Sequence, residues 1–239
     1  MNDVAVRVEA GHELVRMRVW DRVVRNTHVL IALSIVVLSV TGFLIGHPVL
    51  VSPGPAGQRF ITGTVKVVHF YAAIVFTLAV LSRILWMFVG KGHARWHEFL
   101  PFDRVRRTRI LPTLGFYLFL RRRPPGGLGH NPLAGMSYVA VFGLYLVMIV
   151  TGVGLYAVDA AVGSPVRPLT FVLPVFGGAE GARWVHHVVM WLLLGFVVHH
   201  VYSAVLTAIV ERNGAIDSIV TGYKWVPREE AEADRKEPT

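Results

Sequence analysis

The chain has 239 residues, of which 54% are hydrophobic and only 16% charged, with a mean hydropathy of +0.53. Soluble domains carry about a quarter charged residues, so this balance excludes an ordinary soluble protein and implies an integral membrane protein. The formal charge of +9 does not indicate nucleic-acid binding, because the basic residues are confined to short segments between apolar runs, as in the cytoplasmic loops of membrane proteins.

In chain order, the N-terminus (MNDVAVRVEAGHELVRMRVWDRVVRN) is polar and lacks the short apolar run and small-residue cleavage site of a signal peptide. Four segments then reach the ~20 apolar residues that cross roughly 30 Å of hydrocarbon: about 26–46, 65–90, 134–158 and 184–210. Between the second and third, Ile110–Leu120 is too short to span and is flanked by Arg106, Arg107, Arg109, Arg121, Arg122 and Arg123, which predicts a helix lying on the bilayer surface. Arginines 7, 16, 18, 22 and 25 precede the first span, and nine basic residues lie from Lys91 to Arg123. The 47–64 connection holds only Arg59, and 159–183 only Arg167 and Arg183. The positive-inside rule thus places both termini and the 91–133 loop in the cytoplasm. The expected fold class is all-α: an integral membrane four-helix bundle with both termini cytoplasmic and a short interfacial helix in the 91–133 loop. A single domain is expected over residues 1–225, followed by a charged tail, 226–239.

The chain has no cysteine, which excludes disulfides, iron–sulfur ligation, zinc–thiolate sites and covalent C-x-x-C-H haem attachment. A redox cofactor would need other ligands, and there are eleven histidines. In the last span, His186 and His200 are 14 residues apart, which returns them to within about 40° of one face at a separation of roughly 21 Å. His187 and His199 fall about 120° apart and read as interhelical or supporting groups. His93 and His97 read as solvated loop residues. His69 matches His186 in expected depth, near the outer ends of their spans, and His28 matches His200 near the inner ends. A lone membrane histidine is usually a hydrogen-bonding group between helices. Four unpartnered rings, however, at roughly 2–7 kcal/mol each, would rival the stability of a whole domain. Two bis-histidine sites at different depths are what two non-covalent b-type haems require, with His28, His69, His186 and His200 as iron ligands. Gly42 lies 14 residues after His28 and would let a flat macrocycle approach at the outer level; ordinary helix packing explains it equally well. Arg83 lies 14 after His69 and would meet a haem propionate or quinone headgroup at the inner level, the alternative being a snorkelling interface residue.

RVWDRVVRNTH (Arg18–His28), VTGFLIG, VKVVHF, SRILWMFVG, GHNPLA (Gly129–Ala134), VTGVGLY, WVHHVVMW, HHVYSA and VTGYKW follow one another in an order that resembles a known family. Together they look like the b-type cytochrome subunit of membrane-bound nickel–iron uptake hydrogenases, within the wider bacterial di-haem cytochrome b group. The likeness covers about Arg18 to Trp225; GHNPLA and VTGYKW are its more specific parts. It implies a multi-pass inner-membrane subunit that anchors the hydrogenase small and large subunits and is not itself catalytic for hydrogen oxidation. It further implies that two haem b groups carry electrons from the small subunit to menaquinone or ubiquinone in a respiratory chain. The family's ligands fall on the same four histidines, His69 with His186 outside and His28 with His200 inside. His47 and the outer loops would face the small subunit. The chain departs from the family at Val29, where Trp is common, at Val189, where Gly is usual, and at Glu211, which stands alone for an acidic pair; these changes bear on the inner pocket and quinone site. A cytochrome subunit of another periplasmic oxidoreductase, of formate dehydrogenase or thiosulfate reductase type, is the nearest alternative. A metal or proton transporter is more distant, because the paired Gly/Pro-broken helices of transporters are missing.

Overall fold

A computed structural model describes residues 6–9, 12–47, 61–90, 95–96, 108, 110–117, 120–121, 132–211, 214–229 and 231–232. The elements run β1 (Val6–Glu9), β2 (His12–Arg18), α1 (Arg22–Gly46), α2 (Ile61–Val89), α3 (Ile110–Tyr117), α4 (Pro132–Asp159), a 3-10 helix (Arg167–Phe176), α5 (Gly178–Glu211), α6 (Ala215–Thr221) and β3 (Tyr223–Pro227). Among the described residues, helices α1, α2, α4 and α5 are the four that are long and apolar enough to cross a membrane, and they overlap the four expected spans. A short helix forms within the 91–133 loop as α3. His93 and His97, and residues 129–131 of GHNPLA, lie outside the described residues.

Local chemistry sets the helix ends. Asp21 caps α1 by accepting the Val24 N–H at 2.9 Å, satisfying a donor that the first turn leaves without an intrahelical partner. α4 starts on Pro132, whose missing N–H costs nothing in a first turn. Gly177 and Gly178, at φ +80° and +90°, occupy the left-handed region that glycine tolerates, turning the chain between the 3-10 helix and α5. Side chains such as Leu33 and Leu78, each 61% exposed, and Val198, 72% exposed, cover the helix exteriors. An apolar exterior of this extent suits lipid rather than water.

The chain divides into two units. One comprises Asn26–Ile84 and Leu144–Leu192, and so holds most of α1 and α2, the second part of α4, the 3-10 helix and the first part of α5. Its buried residues include Phe76, Val80, Tyr145, Thr41 and Thr151.

The other unit comprises Met1–Arg25, Leu85–Gly143 and Leu193–Thr239. It contains a feature that departs from the all-α expectation, a three-stranded antiparallel sheet in the order β1-β2-β3. The register pairs Val15 with Val226 and Arg16 with Trp225, so the two chain termini are joined. Val15, Val226 and Ala231 form a small core against which Met17 packs, and Val226 and Ala231 are therefore buried rather than part of a charged tail. The Arg16 guanidinium sits 4.5 Å from the centre of the Tyr223 ring, a cation–π distance. Arg228 reaches Glu13 at 2.7 Å and Glu232 at 3.3 Å, and those hydrogen bonds, that to Glu13 first, raise its basicity above the ordinary value.

The sheet also carries a clasp between two of the sequence motifs. Val19 and Trp20 both donate their N–H to the Gly222 carbonyl, at 2.9 and 3.2 Å. The Trp20 indole donates to Ser218 Oγ at 3.2 Å, the Trp86 indole to Asp21 Oδ2 at 2.6 Å, and Arg25 to the Val220 carbonyl. Gly222, at φ +87°, has no room for a Cβ, which would stand 2.8 Å from the Trp20 carbonyl oxygen. The Trp-Asp opening and the VTGYKW ending thus belong to one structural device.

Candidate functional site

Both histidines of the expected outer pair lie in the first unit, on different helices. His69 is on α2 and His186 on α5, and each is held by a threonine from a neighbouring helix. Thr41 Oγ1, on α1, lies 2.8 Å from His69 Nδ1, and Thr151 Oγ1, on α4, lies 2.8 Å from His186 Nδ1. Each hydroxyl also reaches back to its own helix. Thr41 donates to the Val37 carbonyl at 2.7 Å and Thr151 to the Val147 carbonyl at 2.7 Å. Thr41 is 7% exposed and Thr151 fully buried, so both hydroxyls have exchanged water for these partners.

A glycine follows each threonine and lies against the ring its threonine holds. A Cβ on Gly42 would stand 3.6 Å from His69 Cε1 and 4.0 Å from Met190 Sδ, and one on Gly152 only 3.3 Å from His186 Cε1. The Val-Thr-Gly triplets at Val40–Gly42 and Val150–Gly152 therefore play the same local part on α1 and α4. His69 is also within electrostatic reach of His186. Edge-to-face contacts brace the surroundings, Phe43 against Trp191 at 5.3 Å and Phe70 against Tyr156 at 4.6 Å, distances typical of favourable aromatic pairs.

The remaining histidines have different settings. His187 Nδ1 is 2.9 Å from the Arg183 carbonyl, one turn back on its own helix. Its Nε2 faces Gly46 of α1, where a Cβ would come within 3.2 Å. His200, in the second unit, stacks on Phe196 at 5.6 Å and meets Tyr138 edge-on at 6.1 Å. His199 is exposed, with Ser203 Oγ 3.4 Å from its Nε2. His28 belongs to the first unit and is exposed. Arg83, on α2 of the first unit, is 7% exposed and engaged, and His47 is exposed at the end of α1.

Chemically, with Nδ1 of His69 and of His186 engaged by threonine, Nε2 is the nitrogen that could take a metal. Among the described residues no three His, Asp or Glu side chains converge as a metal held by side chains alone would need. A pair of imidazoles instead suits a metal that brings its own equatorial ligands and takes two axial ones, as in a bis-histidine haem. Helical phase, applied to the histidines, Gly42 and Arg83, does not single out Thr41, Thr151 or Gly152. The repeated Val-Thr-Gly is the signal that could have found them.

Residues 19–222 match the family described as prokaryotic cytochrome b561. A probable Ni/Fe-hydrogenase B-type cytochrome subunit of Cupriavidus necator is 37% identical over 91% of this chain and 90% of its own. One from Azotobacter vinelandii is 38% identical over 90% and 92%, and the probable hydrogenase 1 B-type cytochrome subunit of Escherichia coli K12 is 34% identical over 86% and 89%. With its four apolar helices, and matched by the family over nearly all its length, the chain belongs to the prokaryotic cytochrome b561 family, as a multi-pass membrane cytochrome b.

Proposed function

We propose that this protein is the di-haem b-type anchor of a periplasmic nickel–iron hydrogenase in the inner membrane. In this reading it passes electrons from the small subunit to quinone and has both termini in the cytoplasm. The observation that carries the proposal is the threonine-held pair His69 and His186, set among apolar helices in a chain similar to named hydrogenase cytochrome subunits. One-electron transfer at an iron held between two imidazoles is the chemistry that haem b would supply.

The chain's own residues do the rest. His69 and His186 would hold the haem iron through Nε2, and Gly42 and Gly152 keep side-chain bulk away from the rings. The surrounding aromatic pairs and lipid-facing apolar side chains keep water out, which holds the local dielectric low. By helical phase and matched depth, His28 and His200 would be the second pair, with Arg83 as the cation for a propionate or a quinone headgroup. The single domain over 1–225 and the surface placement of α3 belong to the same reading.

Purification through a tag on this chain, from haem-sufficient cells grown on hydrogen, tests the proposal. The expected result is a reduced-minus-oxidised spectrum with a b-type band at two haems per chain, and both hydrogenase subunits in the eluate. Recovery of a molybdenum enzyme instead would assign the chain to the other class of periplasmic oxidoreductase, and absence of the b band would end the haem reading.

A further inference from the structure

We infer that Thr41 and Thr151 are matched positioning residues that fix the tautomer and basicity of His69 and His186, and through them the reduction potential of the iron these two rings would hold. The inference rests on the haem reading above and goes beyond it in assigning roles to two residues that are not ligands.

A threonine hydroxyl has one proton to donate. Oγ1 of Thr41 lies 2.7 Å from the Val37 carbonyl and 3.3 Å from that of Leu38. Oγ1 of Thr151 lies 2.7 Å from the Val147 carbonyl and 3.2 Å from that of Met148. A carbonyl oxygen only accepts, so contacts this short are bonds only if the hydroxyl proton points back along the helix. The lone pairs of Oγ1 then face the imidazole 2.8 Å away, and Nδ1 must be the donor. In a neutral imidazole that places the second nitrogen's lone pair on Nε2, the state a metal requires. The opposite tautomer would set two lone pairs against each other in a buried place, where an unsatisfied polar group costs about 1–3 kcal/mol.

A histidine ligand that donates its other N–H is oriented by that bond and made more basic. A more basic ligand favours the ferric over the ferrous iron, so each hydroxyl lowers the potential of the metal it acts on. The device appears once on each ligand, built from the same Val-Thr-Gly triplet on α1 and on α4. Both rings would therefore be tuned in the same direction. The glycine keeps the ring edge clear, since a Cβ on Gly152 would press on His186 Cε1 at 3.3 Å and turn the ring off its hydroxyl.

The test uses the purified complex and four variants, Thr41→Val and Thr151→Val, which keep the shape and remove the hydroxyl, and Thr41→Ser and Thr151→Ser, which restore it. Potentiometry followed at the b band should show one of the two haems shifted upward in each Val variant. The expected shift is about tenfold in the ratio of reduced to oxidised haem at a fixed potential, or ~59 mV for one electron, with the other haem as internal reference. The low-spin ferric EPR signal of the same haem should move with it, and both Ser variants should return near wild type. Loss of that haem in a Val variant but not in its Ser partner would also support the role of the hydroxyl. Equal shifts in Val and Ser would overturn the inference in favour of packing, as would no shift in any variant. His186→Ala separates the two levels of the argument. If it keeps both haems, the haem reading itself has failed at this pair; if it loses one while the threonine variants stay unshifted, only the present inference has.

Discussion

The histidine unit and the terminal clasp use the same hydrogen-bond relay for different ends. In the clasp, Ser218 Oγ donates to the Ala215 carbonyl at 2.6 Å and accepts the Trp20 indole N–H at 3.2 Å. In the membrane helices, Thr41 and Thr151 donate to a carbonyl one turn back and meet an imidazole Nδ1 at 2.8 Å. An indole has one nitrogen and can only donate, so in the clasp the relay ends in a satisfied bond and fixes a tryptophan. An imidazole has a second nitrogen, so in the membrane the same relay leaves a lone pair on offer. One ring substitution thus separates a structural bond from a site that orients a ligand.

The comparison breaks most sharply at the ring itself. His186→Ala should abolish one of the two haem signals, whereas His187→Ala should leave both. His187 lies on the same helix but turns its Nδ1 to the Arg183 carbonyl and its Nε2 toward Gly46. Pyridine haemochrome quantitation with protein determination checks this, and loss of haem in His187→Ala alone would reverse the assignment. A smaller effect should come from the clasp. Ser218 is 3% exposed, and Ser218→Ala removes the hydroxyl that accepts the Trp20 indole N–H, at a cost of about 0.5–1.5 kcal/mol. Thermal unfolding should therefore begin at lower temperature while both haem spectra and both potentials stay as they were. A spectral change in Ser218→Ala would show that the clasp also governs the haem environment.

These contrasts also show why the sequence revealed some features and hid others. The four spans were legible because ~20 apolar residues in a row admit few alternatives, and α1, α2, α4 and α5 cover them within a few residues. Helical phase singled out His186 with His200 because a 3.6-residue period sorts faces within one helix, and expected depth added His69. It could not show which residue of another helix meets which ring, so Thr41 and Thr151 stayed hidden although both triplets were in view. The sheet was hidden for another reason. Its strands are 4, 7 and 5 residues long and join the two ends of the chain, so no local pattern records their pairing. Charge in the last residues read as a tail, yet Val226 and Ala231 give it an apolar contact with Val15. The Trp-Asp and VTGYKW motifs were visible as a resemblance, and the bonds from Val19 and Trp20 to Gly222 supply its physical cause.

The smallest expected effect comes from the ion pair of Lys66 with Asp159, and its sign sharpens the comparison most. Lys66 Nζ lies 3.1 Å from Asp159 Oδ2 with the side chains 42% and 64% exposed, so the pair contributes only about 0–1 kcal/mol and weakens as salt screens it. It links α2, three residues before His69, to the end of α4, the helix that carries Thr151. Lys66→Met should lower the unfolding temperature slightly at low salt and not at high salt. Removing a positive charge near His69 also disfavours the reduced iron, so the potential should fall by much less than 59 mV, and less again in high salt. Thr41→Val is expected to raise it, with no dependence on salt. Opposite signs and opposite salt responses therefore separate a charge at the helix end from a hydroxyl on the ligand. A salt-independent rise in Lys66→Met would mean that the helix ends, not the hydroxyls, set the geometry of the ligands.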